Sequence, residues 1–470
     1  MKNILLLNPP SQKINYSRDY FCSKALKGNY VEHPIDILIL SGVLFSSFNI
    51  NILDATVSHL KEQQTLNEIF HFRPDYLIFI TGKVSLKDDC ALLQKVKARN
   101  KSIKLIGIGD VFQNNTLYKE YDWLDAVLYD FTTDDIVKYC QNDYSHLRNM
   151  AYRRNGEIIK TEITINNNQA FTIPVPRHEL FLGKKYTFPF ARHLPFTTIL
   201  TDYGCAYKCS FCTYSTLGIK FRTIENVCEE LEYIHSLGIR EIFIKDQTFG
   251  WNKDRTIQLC KEMIKSRWNF SWTAFSRVDV IDKDLLSLMK DAGCHTLTFG
   301  VETANEDLLK KYNKSFKQEH IRNTFALCRS MSIETVGTFI IGFPNESRES
   351  ILNTINFAKK LNCDFAAFNC FVPKPHCLPN NEYISDDYKK KETEQAFDQS
   401  GIVSIAGNGV LSKEEMAELL TYAVVQFYMR PMYLVFRILH LKSFTEFILF
   451  MKNGIHMMIE CLKKKMCSRN

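Results

Sequence analysis

The chain has 470 residues, 45% of them hydrophobic and 24% charged, the balance of a folded globular protein of two or three domains at roughly 150 residues each. A formal charge of +7, spread over dispersed basic residues, gives no dense basic stripe with interleaved aromatics, so no nucleic-acid partner is expected. Fifteen cysteines follow an opening apolar run that stops at Leu7, too short for a signal-peptide core; they read as reduced thiols of a cytoplasmic protein, not as a disulfide framework.

In chain order, residues 1–145 alternate apolar runs with helical patterns. Asn3–Asn8 reads as a strand closed by Pro9-Pro10, Ile35–Ser47 as a helix, and Ile50–Leu53 and Tyr76–Thr81 as strands. Asp88–Ala98 is helical, and Ile103–Ile108 and Ala126–Tyr129 complete the set. The expected fold is α/β, a doubly wound parallel sheet, whose ligands bind beyond the carboxyl ends of the strands. Gly82, Gly107 and Gly109 stand at those ends, where the missing side chain lets a ligand approach the backbone. Residues 146–195 show no period and hold Pro174, Pro176, Pro189 and Pro195, and are read as a linker crossing the surface.

From 196 to 385 the alternation repeats with strands at Phe196–Thr201, Glu241–Lys245, Ser271–Phe275, Thr296–Val301, Thr335–Ile341 and Phe365–Val372. Six strand–helix units predict a partial (β/α)6 barrel with its chemistry at the C-terminal strand ends. Residues 386–470 begin polar and become helical, dense in aromatic and aliphatic residues around Phe427–Phe436, with the basic run Lys463-Lys464-Lys465 after them. Two readings stand for this segment: a helical cap on the barrel, or an interfacial helix in peripheral contact with a membrane or a lipid-like substrate.

Directly after the first barrel strand come Cys205, Cys209 and Cys212, at C-x3-C-x2-C spacing. Three thiolates on one loop suit an iron–sulfur cubane and leave one iron without a protein ligand. A structural zinc site wants four ligands, and Cys228 and His193, the nearest candidates for a fourth, are poorly spaced. Cys363, Cys370 and Cys377 are evenly spaced, but strand residues seven apart alternate faces, so they read as buried thiols.

The cysteine motif resembles that of the radical S-adenosylmethionine (SAM) superfamily, and the similarity extends over the whole second domain. The resemblance implies a 4Fe–4S cluster at Cys205, Cys209 and Cys212, SAM on its open iron, an external electron donor of flavodoxin or ferredoxin type, and cleavage of SAM to methionine and a 5′-deoxyadenosyl radical. Residue by residue it implies SAM contacts at Phe211, which matches the adenine-packing aromatic, and at Asp246, Arg277, Glu302 and Gly342, each at a strand end. The second acidic residue usual after Asp246 is replaced by Gln247. Taken structurally, Asp246 also suits a helix cap, Arg277 a pair with Asp279 or Glu302, and Gly342-Phe343-Pro344 an ordinary turn.

A doubly wound domain ahead of such a barrel resembles the subclass that binds cobalamin, which implies corrin contacts at Gly82, Gly107 and Gly109. The D-x-H-x-x-G signature is absent. The glycine-rich segments of that subclass appear here as Gly107-Ile108-Gly109-Asp110-Val111-Phe112 and Asp130-Phe131-Thr132-Thr133. The expected activity is radical SAM chemistry on a small-molecule or lipid-like substrate, with cobalamin-dependent methylation of an unactivated carbon or phosphorus. The alternatives are radical cyclisation, rearrangement or oxidation without cobalamin, and a non-catalytic iron–sulfur or zinc protein that binds nucleic acid.

Overall fold

In the computed structural model the described residues are 1–11, 15–18, 24–26, 30–113, 121–164, 166–372, 398–401, 407–439, 447–448 and 451. Cys377 and the Lys463–Lys465 run lie outside them. The strands are β1 (Asn3–Asn8), β2 (Tyr16–Ser17), β3 (Lys24–Ala25), β4 (Asn49–Asp54), β5 (Tyr76–Ile80), β6 (Lys104–Ile108), β7 (Ala126–Leu128), β8 (Met150–Arg154), β9 (Glu157–Lys160), β10 (Asn166–Phe171), β11 (Phe196–Ile199), β12 (Asp202–Gly204), β13 (Gly218–Arg222), β14 (Glu241–Ile244), β15 (Ser271–Ser276), β16 (Cys294–Glu302), β17 (Glu334–Ile341) and β18 (Phe365–Cys370).

The first sheet has the order β4-β1-β5-β6-β7-β8-β9. Its first five strands are parallel, and β5, Tyr-Leu-Ile-Phe-Ile, is buried along its whole length, as a central strand covered on both faces must be. The helix Ile35–Phe45 carries apolar residues on every side and is buried from Ile35 to Leu44. Its second neighbour is the segment after β10: a side chain at Gly42 would strike the Pro174 carbonyl oxygen at 2.6 Å, and Ser41 Oγ accepts from the Arg177 amide.

Residues 146–195 do not form a surface linker. β8 and β9 extend the first sheet with antiparallel strands, and β10 pairs parallel with β13 in a small sheet that also holds β12. Period-2 alternation in these short polar strands is too weak to stand out, and their pairing partners are distant in sequence. The rest of the segment turns inward. Phe188 stacks on Phe243 of β14 at 4.4 Å, Phe190 meets Phe365 of β18 at 5.0 Å, and Arg192 pairs with Glu334 of β17 at 3.1 Å.

The second large sheet runs β11-β14-β15-β16-β17-β18, all parallel and in chain order. β11 and β18 do not pair, so the barrel stays open along one seam, which Phe188 and Phe190 bridge. Five of its helices start on an oxygen-bearing side chain that accepts a first-turn amide: Thr223, Asn252, Asp282, Asn305 and Ser347. One buried cluster runs from Ile4, Leu6 and Ile78 through Phe181, Tyr186 and Phe188 to Phe196 and Phe243, so the first sheet and the barrel share a core. The helix Lys413–Tyr428 covers β18, whose outer edge is capped by Tyr428: its hydroxyl donates to the Ala366 carbonyl at 2.8 Å and accepts from the Ala366 amide at 3.0 Å. No helix among the described residues is long and apolar enough to cross a membrane.

Candidate active site

The three cysteines lie on the loop between β12 and β13, which form an antiparallel hairpin and pin both ends of the loop. The Cys205 amide donates to the Gly218 carbonyl at 2.8 Å. Gly204 has φ +93° and a Cβ there would meet that same carbonyl oxygen at 2.1 Å, so only glycine lets the hairpin close beside the first cysteine. The Cys212 amide bonds back to the Cys209 carbonyl, and the Ser210 amide reaches the Tyr312 carbonyl. Cys209 is buried, whereas Cys205 and Cys212 are half-buried.

Below the loop, Asp246 departs from the expected SAM contact. Its carboxylate accepts from the Thr201 amide at 2.6 Å, the Thr201 hydroxyl at 2.5 Å and the Asp202 amide at 3.0 Å, and it is fully buried. Nor does it cap the following helix, which Asn252 does. The end of β14 thereby fixes the start of the cysteine loop, through a bond across strands that no local spacing reveals. Asp202 carries a second buried carboxylate, held by Arg255 at 3.1 Å and the Trp251 indole at 2.5 Å. Burial pushes the Asp202 carboxyl up to about 7, and the neighbouring Asp246 adds to the shift.

Arg277, past the end of β15, forms a two-pronged pair with Asp279 at 2.9 and 2.7 Å, lies over the Tyr207 ring at 3.8 Å, and places Nη1 3.5 Å from Cys209 Sγ. Burial raises the Cys209 thiol, and the charges of Lys314 and Arg277 oppose that rise. Glu302, the last residue of β16, follows a break in register and sits at φ +66°, a region that costs a side-chain-bearing residue of order 1 kcal/mol or more. Its carboxylate pairs with Lys314, whose ammonium also donates to the Gly300 carbonyl at 2.9 Å. Sequence reasoning missed Lys314: it lies beyond the strand-end motifs, on the stretch after the helix Glu306–Lys311, and only folding brings it back to β16.

Phe211 meets Tyr312 and Phe343 edge to face at 6.1 and 6.2 Å, and Tyr312 and Phe343 approach at 4.8 Å. Gly342 closes β17 at φ +79°, its amide donating to Glu346, with Met416 where a Cβ would stand. Phe211, Arg277 and Glu302 thus gather around the cysteine loop through Tyr207, Lys314 and Tyr312.

The donor set suits a cluster. Three thiols share one loop, the charges of Lys314 and Arg277 act on Cys209 with Glu302 opposing them, and the buried Ser210 hydroxyl has no hydrogen-bond partner among the described residues, leaving a donor for sulfur. Among the described residues no three His, Cys, Asp or Glu side chains come close enough to hold a single metal ion.

Two of the three glycines expected to cradle a corrin pack closely against the chain itself. A Cβ on Gly107 would strike the Phe112 ring at 2.5 Å, and one on Gly109, at φ +144°, the Thr81 carbonyl oxygen at 2.0 Å. Both are there for close packing of the protein on itself. Gly82 is buried after β5 and its carbonyl accepts from the Ser85 amide. At the end of β7, Asp130 binds the Thr132 amide and hydroxyl and pairs with Lys220 of β13 at 2.6 Å.

Residues 199–358 match the model of the Radical SAM superfamily. An uncharacterized methyltransferase of Pyrococcus horikoshii is 28% identical over 420 residues, which cover 86% of this chain and 89% of that protein. The radical S-adenosylmethionine methyltransferase TsrM from Kitasatospora setae, solved with cobalamin and a 4Fe–4S cluster bound, has the same fold: the TM-score is 0.65 at 14% identity, over 92% of this chain and 90% of that one. The cobalamin-dependent radical enzyme OxsB, solved with aqua-cobalamin, gives a TM-score of 0.59 at 16% identity, over 90% of this chain and 61% of that longer one.

Proposed function

We propose that this chain, whose barrel is a radical SAM domain, is an enzyme that cleaves SAM reductively at a 4Fe–4S cluster held by Cys205, Cys209 and Cys212 and uses the radical on a small-molecule or lipid-like substrate. The observation that carries the reading is the cysteine loop itself: three thiols at the barrel mouth, with the Arg277 guanidinium 3.5 Å from Cys209 Sγ. A 4Fe–4S cluster held by Cys205, Cys209 and Cys212, reduced by an external donor of flavodoxin or ferredoxin type, would supply the electron that splits bound SAM into methionine and the 5′-deoxyadenosyl radical.

The chain's own residues do the positioning. Arg277 and Lys314 hold positive charge against the Cys209 thiol, which favours its ionised form. Glu302 is the carboxylate at the mouth suited to SAM's amino group, with Lys314 holding it in place. Phe211, Tyr312 and Phe343 supply an aromatic wall for adenine, and the Gly342 turn brings backbone up to it. Phe188, Phe190 and Arg192 close the seam and the far end of the barrel, which keeps water from reaching the radical from below.

Methylation with cobalamin is the reading we take for the radical's use. Its support is the fold shared with TsrM and OxsB and the methyltransferase relative. The packed state of Gly107 and Gly109 favours a second reading, radical rearrangement, cyclisation or oxidation without a corrin. Anaerobic reconstitution with iron and sulfide, followed by assay for 5′-deoxyadenosine and S-adenosylhomocysteine, tests both. Formation of 5′-deoxyadenosine that is lost in Cys205→Ala, Cys209→Ala and Cys212→Ala is the expected result; retention of activity in the triple variant overturns the cluster. An intact cluster that takes up no cobalamin removes methylation and leaves the radical chemistry.

A further inference from the structure

The C-terminal helices present their apolar side outward. In the helix Pro431–Leu439 the residues that face the barrel are Tyr433 and Arg437: Tyr433 donates its hydroxyl to the Asp364 carbonyl at 2.7 Å, and Arg437 pairs with Glu334 at 2.8 Å. The opposite stripe, spaced i, i+3, i+4, i+7, is Met432, Val435, Phe436 and Leu439, exposed to 79%, 51%, 46% and 74%. Arg437 is spent inside, so no cation of this helix is left to solubilise its outer face. The stripe continues backward along the helix Lys413–Tyr428 through Met429, Val425 and Tyr422, all exposed, and reappears in exposed Phe447, Ile448 and Met451. Scattered exposed side chains are ordinary, but a stripe spanning two successive helices is not. From residue 440 to the end of the chain the sequence holds six Lys and Arg against two Glu.

We infer that this outward apolar stripe and the basic sequence after it dock the enzyme on an anionic lipid bilayer, the side chains of Met432, Val435, Phe436 and Leu439 entering the headgroup region while the cations meet the lipid phosphates. The excess of Lys and Arg in the sequence that follows the stripe favours this occupant over a second copy of the chain, which would bring like charge against like. The helix is held to the floor of the barrel through Glu334 and Asp364, so docking leaves the cysteine loop, at the opposite end of the strands, clear of the surface.

The test is flotation of the full-length protein with vesicles of phosphatidylcholine, with and without phosphatidylglycerol. The protein is expected to float with the anionic vesicles, to be released as salt rises, and to stay behind with phosphatidylcholine alone. The triple variant Met432→Glu/Val435→Glu/Leu439→Glu should lose at least about tenfold in partitioning while keeping its iron content and circular dichroism, since all three positions are exposed. Replacing Lys463, Lys464 and Lys465 by Ser, which leaves the stripe intact, should weaken binding to anionic vesicles by about tenfold or more. No flotation with anionic vesicles, or equal flotation of the triple variant, overturns the inference. So does a dimer by light scattering that the triple variant dissociates, because the stripe would then belong to a second copy.

Discussion

At the scale of single residues, the cysteine loop is held by groups that answer to different measurements. Glu302→Ala removes the carboxylate proposed for SAM's amino group and should weaken SAM binding by about tenfold or more, while iron content stays near wild type, because no thiol is touched; unchanged affinity, measured by equilibrium dialysis, would make Glu302 purely structural. Glu241 lies at the far end of the barrel, 2.8 Å from His295 Nε2, and burial pushes its carboxyl from 4.5 up to about 8. An acid whose folded value is raised binds its proton more tightly in the folded state, so stability should fall as pH climbs from about 4.5 to about 8, with a slope approaching about 1.4 kcal/mol per pH unit. Glu241→Gln keeps the uncharged shape and should flatten that slope in urea titrations taken across the window. The five SAM-contact residues assigned from resemblance divide by what they touch. Arg277, Glu302 and Phe211 reach the site or its neighbours, Gly342 shapes a turn, and Asp246 works through backbone amides.

At the scale of elements, Tyr428 serves the last strand as a neighbouring strand would, exchanging two hydrogen bonds with Ala366. Tyr428→Phe should cost about 1–3 kcal/mol in denaturant unfolding, since the Ala366 amide and carbonyl then lose a partner without gaining water. Elements that bury a repeating apolar pattern were legible before folding: all six barrel strands and the five parallel strands of the first sheet appear where periodicity placed them, with ends shifted by a residue or two. What was not legible was pairing between distant short segments. Gly218–Arg222 and Met150–Arg154 have no amphipathic signature of their own and are strands because β12 and β7 stand beside them. The Pro-rich run before β11 was misread for a related reason: prolines mark irregular backbone, and irregular backbone is ordinarily at the surface, whereas here Phe188, Phe190 and Arg192 give it partners inside the barrel.

At the scale of the whole molecule, ion pairs join the N-terminal region to the strands that follow it. Lys220 of β13 meets Asp130 after β7, and Lys245, after β14, meets Glu32 at 3.0 Å, all four side chains nearly excluded from solvent. Lys220→Met leaves the Asp130 carboxylate buried and unpaired and should cost about 3–5 kcal/mol; adding Asp130→Leu should restore most of it, because a buried pair replaced on both sides loses little. Two halves joined by such pairs and a shared core should melt in one transition, and a calorimetric trace with two would contradict that. The inward segment from Tyr186 to Arg192 also has a meaning in time. It precedes β11, so it leaves the ribosome before any barrel strand and can settle on the first sheet through Tyr186, whose hydroxyl donates to Asp54 of β4, while the strands it will fill are still being made. The barrel is then wound around a floor already in place, and a chain started at β11 would have to close over an empty, greasy seam.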